Sequence, residues 1–205
     1  SQKRTTGGLN GLGAKLTAIF SDYFIIETAK DGKKYTQTIE KNLSKINKPK
    51  IGTSKSEYTK ITFKPDFEKF GTTGICDDTF EILKKRVFDI CAITPKDVSV
   101  YLNDKKLNIK DFSDYISTYI GPKKTFPRII QETERWQVGI APSESGFQCI
   151  SFVNGISTTD GGSHVDHVIN PIIKKVTEII QEKHKSITIK QQYIKDNLFV
   201  FINCL

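Results

Sequence analysis

The chain has 205 residues, 37% of them apolar and 26% charged, with 31 lysines and arginines against 23 acids for a formal net charge of +8. That length and apolar share support one large or two small units with proper cores, and no stretch approaches 18 uninterrupted apolar residues, so a membrane span is excluded and a soluble intracellular protein expected. The basic balance admits polyanions as partners, but lysines alternate with acids in most segments and no groove-reading element is recognisable, so charge alone assigns no nucleic acid. Cys76, Cys91, Cys149 and Cys204 are scattered without a CxxC pair. They read as small buried apolar residues in a reducing compartment.

The first element is the run TTGGLNGLGAKLTAIFS, Thr5 to Ser21. Glycine costs backbone entropy, so Gly7, Gly8, Gly11 and Gly13, with Ala14 beside them, imply that the backbone itself is used. Leu12, Leu16, Ile19 and Phe20 recur at helical spacing, so the loop empties into a helix N-terminus, where free N–H groups and the macrodipole attract anions. Lys15 adds a full charge there. The alternative is a tight turn that packs a helix against a strand. A Walker loop is excluded because Ala14 follows Gly13 and puts Lys15 one place late. The dinucleotide pattern GxGxxG after a strand is absent as well.

Further along, Tyr23–Ala29 reads as a buried strand, Asp31 and Gly32 as a hairpin turn into a second strand, and residues 43–57 as a polar surface loop. Tyr58–Asp66 alternates, with Tyr58, Lys60, Thr62 and Lys64 on one face and Thr59, Ile61 and Phe63 on the other. A helix is predicted over Cys76–Ile93, capped by Asp77 or Asp78, with Phe80, Leu83, Val87, Ile90 and Cys91 on one face. Two short strands, VSVYL and KLNI, flank a turn at Asn103 and Asp104, and a small helix ends near Gly121 and Pro122. The aperiodic stretch from Gly121 to Arg135 marks a domain boundary. Beyond it, RWQVGIAPS and GFQCISFVNG read as two antiparallel strands around a loop at Pro142 to Gly146, and Trp136 as core or domain interface. Gly161 and Gly162 then feed a long helix striped by Val165, Val168, Ile169, Ile172, Ile173, Val176, Ile179 and Ile180. His164 and His167 stand three apart rather than at the i, i+4 spacing of a helical metal pair, and no third ligand lies nearby.

TGGLNGLGAKL, Thr6 to Leu16, resembles the glycine-rich ATP lid of the GHKL ATPases in the form carried by eukaryotic-type DNA topoisomerase II, whose usual pattern TGGRNGYGAKL it leaves at Leu9 and Leu12. YTKITFKPD is similar to the closing strand of the same ATPase fold. FVNGISTTDGGSHVDHV resembles the transducer segment of that family, and KPDFEKF, KDVSVYLN and NLFVFINCL extend the likeness over nearly the whole chain. The resemblance implies an α+β protein: a partial GHKL (Bergerat) α/β sandwich in residues 1–121, then a transducer of split β-α-β, ribosomal-protein-like fold in 122–205.

It further implies part of the ATP-operated gate of a type II topoisomerase, an isomerase that passes one DNA duplex through another. The expected cofactors are ATP and Mg²⁺, and the expected partners are sequence-nonspecific double-stranded DNA and a second copy in a homodimer, with no membrane. The nucleus is the expected compartment, or host cytoplasm for a viral enzyme. In the family, phosphate contacts map to Gly8, Leu9, Asn10, Gly11, Leu12, Gly13, Ala14 and Lys15, and Thr59 to a water held against adenine. The family's general base and metal ligand precede the lid, and its phosphate-sensing lysine follows the FINCL strand, so no catalytic residue and no metal ligand is assigned within 1–205. None of Tyr23, Tyr35, Tyr58, Tyr101, Tyr115, Tyr119 or Tyr193 is the DNA-cleaving nucleophile. With no methionine in the chain and the lid within ten residues of Ser1, the sequence reads as a piece of a longer protein that hydrolyses no ATP alone. The competing class is a non-enzymatic basic module that binds nucleic acid or protein, its glycine loop structural. Lys174, Lys175, Lys183, Lys185 and Lys190 are candidates to face DNA or, equally, a solvated helix face.

Overall fold

The turn at Asp31 and Gly32 takes positive φ at both residues, 50° and 77°. That is the twist a two-residue hairpin needs, and it pairs β1 (Ser21–Lys30) with β2 (Lys33–Glu40) in antiparallel register from Tyr23 opposite Glu40 to Lys30 opposite Lys33. The computed structural model describes residues 6–186 and 188–205; the polar run 1–5 ahead of the glycine loop lies outside them. The chain divides into two units, Gly8–Thr79 and Phe80–Leu205, the latter joined by Thr6 and Gly7.

In the first unit, α1 (Gly13–Ile19) leads directly into β1. β1 also pairs with β5 (Tyr58–Pro65), and the far edge of β2 is covered in two pieces by β3 (Lys45–Ile46) and β4 (Lys50–Thr53). Residues 43–57 are therefore not wholly loop. Pro49 lacks an N–H and sits in the break between the two edge strands, and their polar sequence hides the strand signal because both are exposed. Cross-strand partners share a face, so Phe24, Ile39, Ile26, Ile61 and Phe63 lie on one side. Ala18 of α1 packs there on Phe24 and Ile39. The opposite face is polar: Glu27 pairs with Lys34 at 2.6 Å and accepts from the Tyr58 hydroxyl at 2.7 Å. The lysine, then the tyrosine, hold the Glu27 carboxyl below its ordinary range.

The helix expected from Cys76 begins one residue later, as α2 (Asp77–Ile93). Asp77 and Asp78 lie inside its first turn, where they favour the dipole, and Cys76 before them sets its Sγ 3.2 Å from Thr79 Oγ1. The expectation of buried cysteines holds for Cys91 and Cys204, and for Cys149 in part, but Cys76 is exposed, because it precedes the outward first turn of α2. The buried residues of α2 are Asp89, Cys91 and Ala92, while Phe80 and Leu83 stay 43% and 51% exposed, because only the Ala92 flank meets the core of this unit. β6 (Tyr101–Leu102) and β7 (Lys105–Lys106) close a small hairpin, and α3 (Phe112–Ile120) is capped by Asp111, which accepts from the Asp114 N–H at 2.9 Å.

The main sheet of the second unit runs β11-β10-β12-β9-β8. β8 (Ile129–Glu132) falls in the stretch read as aperiodic, and β9 (Trp136–Pro142) follows it. β10 (Gln148–Val153) and β11 (Ile156–Ser157) make a hairpin before α4 (Ser163–Lys183), α5 (Gln191–Asp196) and β12 (Leu198–Cys204). β9 and β10 are not neighbours as expected. The α4 crossover returns β12 between them, parallel to β10 and antiparallel to β9. A strand so placed is buried on both faces. Val200, Ile202 and Cys204 of β12 meet Val165, Ile169 and Ile173 of α4, and Phe201 joins Phe112, Tyr115 and Ile116 of α3. Gly139 of β9 is the close approach that lets α3 down, since a Cβ there would run into Ile116 Cδ1 and come within 3.5 Å of Phe201 Cβ. The mixture of helix and sheet agrees with the α+β expectation, and the β10-α4-β12 crossover with a transducer-type second half.

Candidate functional site

The glycine run folds as an irregular loop, Gly8 to Leu12, that enters α1 at Gly13. Gly11 sits at φ 61°, a left-handed conformation that costs a side-chain-bearing residue about 1–2 kcal/mol. Around Gly8, Gly11 and Gly13 an added Cβ would meet nothing within 4 Å, so the glycines are not kept small by packing. Open backbone is what they supply.

Leu12 occupies the N-cap position of α1 with its backbone near helical, at φ −85° and ψ −20°, and no side chain caps the helix. The first helical bond runs from the Leu16 N–H to the Leu12 carbonyl at 2.9 Å, so the N–H groups of Gly13, Ala14 and Lys15 precede it without a partner inside the helix. Lys15 is exposed on that same turn, with no acidic residue in it. All eight sequence-assigned residues, Gly8 to Lys15, are solvent-exposed and contiguous. Such a turn presents donors and positive charge to an anion, each contact worth about 0.3–2 kcal/mol.

The apolar residues that predicted the helix do not form its buried side. Leu12 and Leu16 are each 49% exposed and Leu9 74%, and Phe20, 40% exposed, has its ring centroid 5.5 Å from that of Phe70. Ala18 makes the buried contact instead, because α1 covers only the Phe24 and Ile39 part of the sheet. Thr59 stands on β5 opposite Thr28, their hydroxyl oxygens 3.4 Å apart, both exposed.

In the second unit, His164 Nε2 lies 3.1 Å from Thr158 Oγ1, which donates to the Ser151 carbonyl at 3.0 Å. This small chain ties the start of α4 to β10, and burial pushes the imidazole below its ordinary pKa. His167 lies against the Trp136 ring, centroids 5.8 Å apart, so the two histidines serve different neighbours. Residues that the periodicity did not single out prove to be structurally busy. Asp89 is only 3% exposed and takes the Tyr115 hydroxyl at 2.7 Å, and the Arg128 guanidinium closes the C-terminal end of α3 on the Gly121 carbonyl at 2.5 Å. A lone acid among the apolar residues of α2 was the available signal for Asp89. Nothing local marks Arg128.

The family description DNA gyrase B matches residues 98–205. DNA topoisomerase 2 of Candida albicans is 44% identical over 227 residues, covering 100% of this chain and 16% of that protein. The ATPase region of Saccharomyces cerevisiae topoisomerase II superposes with a TM-score of 0.88 at 43% identity, over 100% of this chain and 53% of that one. The ATPase and transducer domains of DNA topoisomerase II from Balamuthia mandrillaris do so with 0.88 at 33% identity, over 98% and 53%. The chain thus spans about half the length of these solved chains and 16% of the curated relative.

Proposed function

The chain belongs to the DNA gyrase B family, and from that premise we propose that it is part of the ATP-operated gate of a type II DNA topoisomerase, its Gly8–Lys15 loop being the lid over the nucleotide phosphates. The observation that carries this reading is the exposed, uncapped first turn of α1, with Gly11 left-handed before it and Lys15 on it. Backbone N–H groups of Gly13, Ala14 and Lys15 hold the triphosphate oxygens, and the Lys15 ammonium offsets their charge. Leu9 and Leu12, in place of the family's arginine and tyrosine, leave that task to the backbone and to Lys15. Thr59 takes the adenine side.

Residues 1–121 act in nucleotide binding and 122–205 as the transducer that relays nucleotide state. This functional division differs from the division by packing at Thr79, since α2 and α3 are built onto the second sheet. Bound Mg²⁺ neutralises phosphate charge; Gly8 to Lys15 contains no carboxylate, so its ligands come from outside the lid. The general base and the phosphate-sensing lysine are placed outside 1–205 as well. The parent protein works as a homodimer on double-stranded DNA, in the nucleus, or in host cytoplasm if viral. Exposed Leu9, Leu12 and Leu16 support a surface that is covered by another part of the assembly.

The test is steady-state ATP turnover, with and without DNA, of residues 1–205 beside a version extended by its native flanks. Turnover only in the extended form, stimulated by DNA, is the expected result. Failure of both forms to bind nucleotide hands the function to the binding-module reading, and turnover by the short chain refutes the placement of the catalytic groups.

A further inference from the structure

One glycine of the run differs from the others. Around Gly8, Gly11 and Gly13 an added Cβ would meet nothing within 4 Å, whereas at Gly7 it would stand 2.3 Å from Ile156 Cδ1 and Cγ1 and 3.1 Å from the Asn154 carbonyl oxygen. The Ile156 side chain therefore lies on the bare Gly7 backbone, in room that only glycine leaves. Gly7 packs with the second unit, and Gly8 is the first residue of the other. Here the packing boundary crosses the chain at the peptide bond between two glycines, one held and one open.

The seat under Gly7 is the turn between β10 and β11. Asn154 and Gly155 take φ 50° and 77°, the twist of a two-residue hairpin, with Val153 opposite Ile156. Neighbours in the same unit fix this turn. The Asn154 N–H donates to the Cys204 carbonyl of β12 at 2.8 Å, and the Arg86 guanidinium of α2 donates to the Gly155 carbonyl at 2.9 Å. A Cβ on Gly155 would sit 3.5 Å from Ile93 Cδ1, so α2 also walls the turn. Ile156 itself is 50% exposed and belongs to neither apolar cluster of this unit, so it does little for the core of its own sheet.

Adjacent glycines have the widest backbone freedom, and a hinge is a short stretch that takes up such a change while its flank stays fixed. We propose that Gly7 and Ile156 are positioning residues: the β10–β11 turn seats the root of the Gly8–Lys15 loop, and the loop swings over the nucleotide about the Gly7–Gly8 bond. The inference rests on the reading of that loop as a lid. No fixed arrangement of the two units is required, because Gly8 follows Gly7 covalently and the seat lies wholly in the second unit. A seated root reduces the conformational freedom that the loop gives up on closing, so nucleotide is held more tightly. An unseated root restores that freedom and loosens the hold.

The experiment compares Gly7→Ala, Ile156→Ala and the two combined in the full-length protein, with Ile129→Ala, 75% exposed on β8 of the same sheet, as the control. It reads affinity for a non-hydrolysable ATP analogue, KM and kcat for ATP, and melting temperature. Gly7→Ala sets a methyl group against Ile156 and pushes the root off the turn; Ile156→Ala removes the clamp. Each single variant is expected to weaken analogue binding and raise KM about three- to tenfold, with kcat within about twofold of wild type. Ile156 is half-exposed, so its variant is expected to melt within about 2 °C of wild type. In the double variant the added methyl no longer meets Ile156 Cδ1, so the loss is expected to match Ile156→Ala alone rather than multiply. Unchanged affinity in both single variants overturns the proposal, as do losses that multiply in the double or an Ile129→Ala variant equally impaired. So does a fall in kcat and melting temperature in step with affinity, which makes the contact merely structural. A wild-type protein that binds no nucleotide refutes the lid reading itself, and the proposal with it.

Discussion

Gly11 carries the sharpest residue-scale consequence. Its φ of 61° is one an L side chain adopts at a cost of about 1–2 kcal/mol, and the space around it is open. Gly11→Val in the full-length protein is therefore expected to lower the melting temperature by only a few degrees, by the usual scaling of roughly 2–4 °C per kcal/mol. It is expected to abolish nucleotide-dependent dimerisation, read by sedimentation with a non-hydrolysable ATP analogue. Dimerisation that survives makes the loop a structural turn. The loop was legible from sequence because four glycines in seven residues have few uses, and the helix after it from its apolar spacing. What spacing could not convey is that Ala18 is buried while Leu12 and Leu16 face outward. Periodicity reports that a face is apolar, and says nothing of which part of it finds a partner.

At the scale of elements, the approach of α3 to β9 is governed by Gly139. An added methyl there runs into the Cδ1 of Ile116, a residue with 0% exposure and no free space to retreat into. Gly139→Ala is expected to destabilise the protein by about 1–3 kcal/mol, seen as a drop of several degrees on thermal melting, by overpacking a filled core. Gly52→Ala on the exposed edge strand β4, where a Cβ meets nothing within 4 Å, serves as the control and is expected to leave the melting temperature within about 1 °C. Long elements with regular patterns, β1, β2, β5, α4 and β12, stand where the sequence put them. The two-residue strands β3 and β11, the short edge strands β4 and β8, and the six-residue α5 escaped notice or were read as loop, because their pairing partners rather than their own side chains decide their conformation.

For the molecule as a whole, the +8 charge has a salt signature. Lys174, Lys183, Lys185 and Lys190 are exposed, and Lys175 lies 3.4 Å from Glu178, which leaves it partly engaged. If they contact DNA phosphates, log K for duplex binding by the full-length protein falls with log salt at roughly −0.9 per phosphate neutralised. Replacing Lys174 and Lys183 together by alanine is then expected to reduce that slope by about 2, equally for unrelated DNA sequences. An unchanged slope assigns these lysines to solvent. The sequence by itself determined the glycine loop, the regular elements and the family, because glycine clusters, hairpin turns and apolar periods act locally and are written in adjacent residues. Only the tertiary structure decided that β12 enters between β9 and β10, that Asp89 is buried against Tyr115, and that the packing boundary runs through α2. Those outcomes depend on contacts between residues 26 or more positions apart, set by which surfaces can close over one another, and no local pattern encodes that.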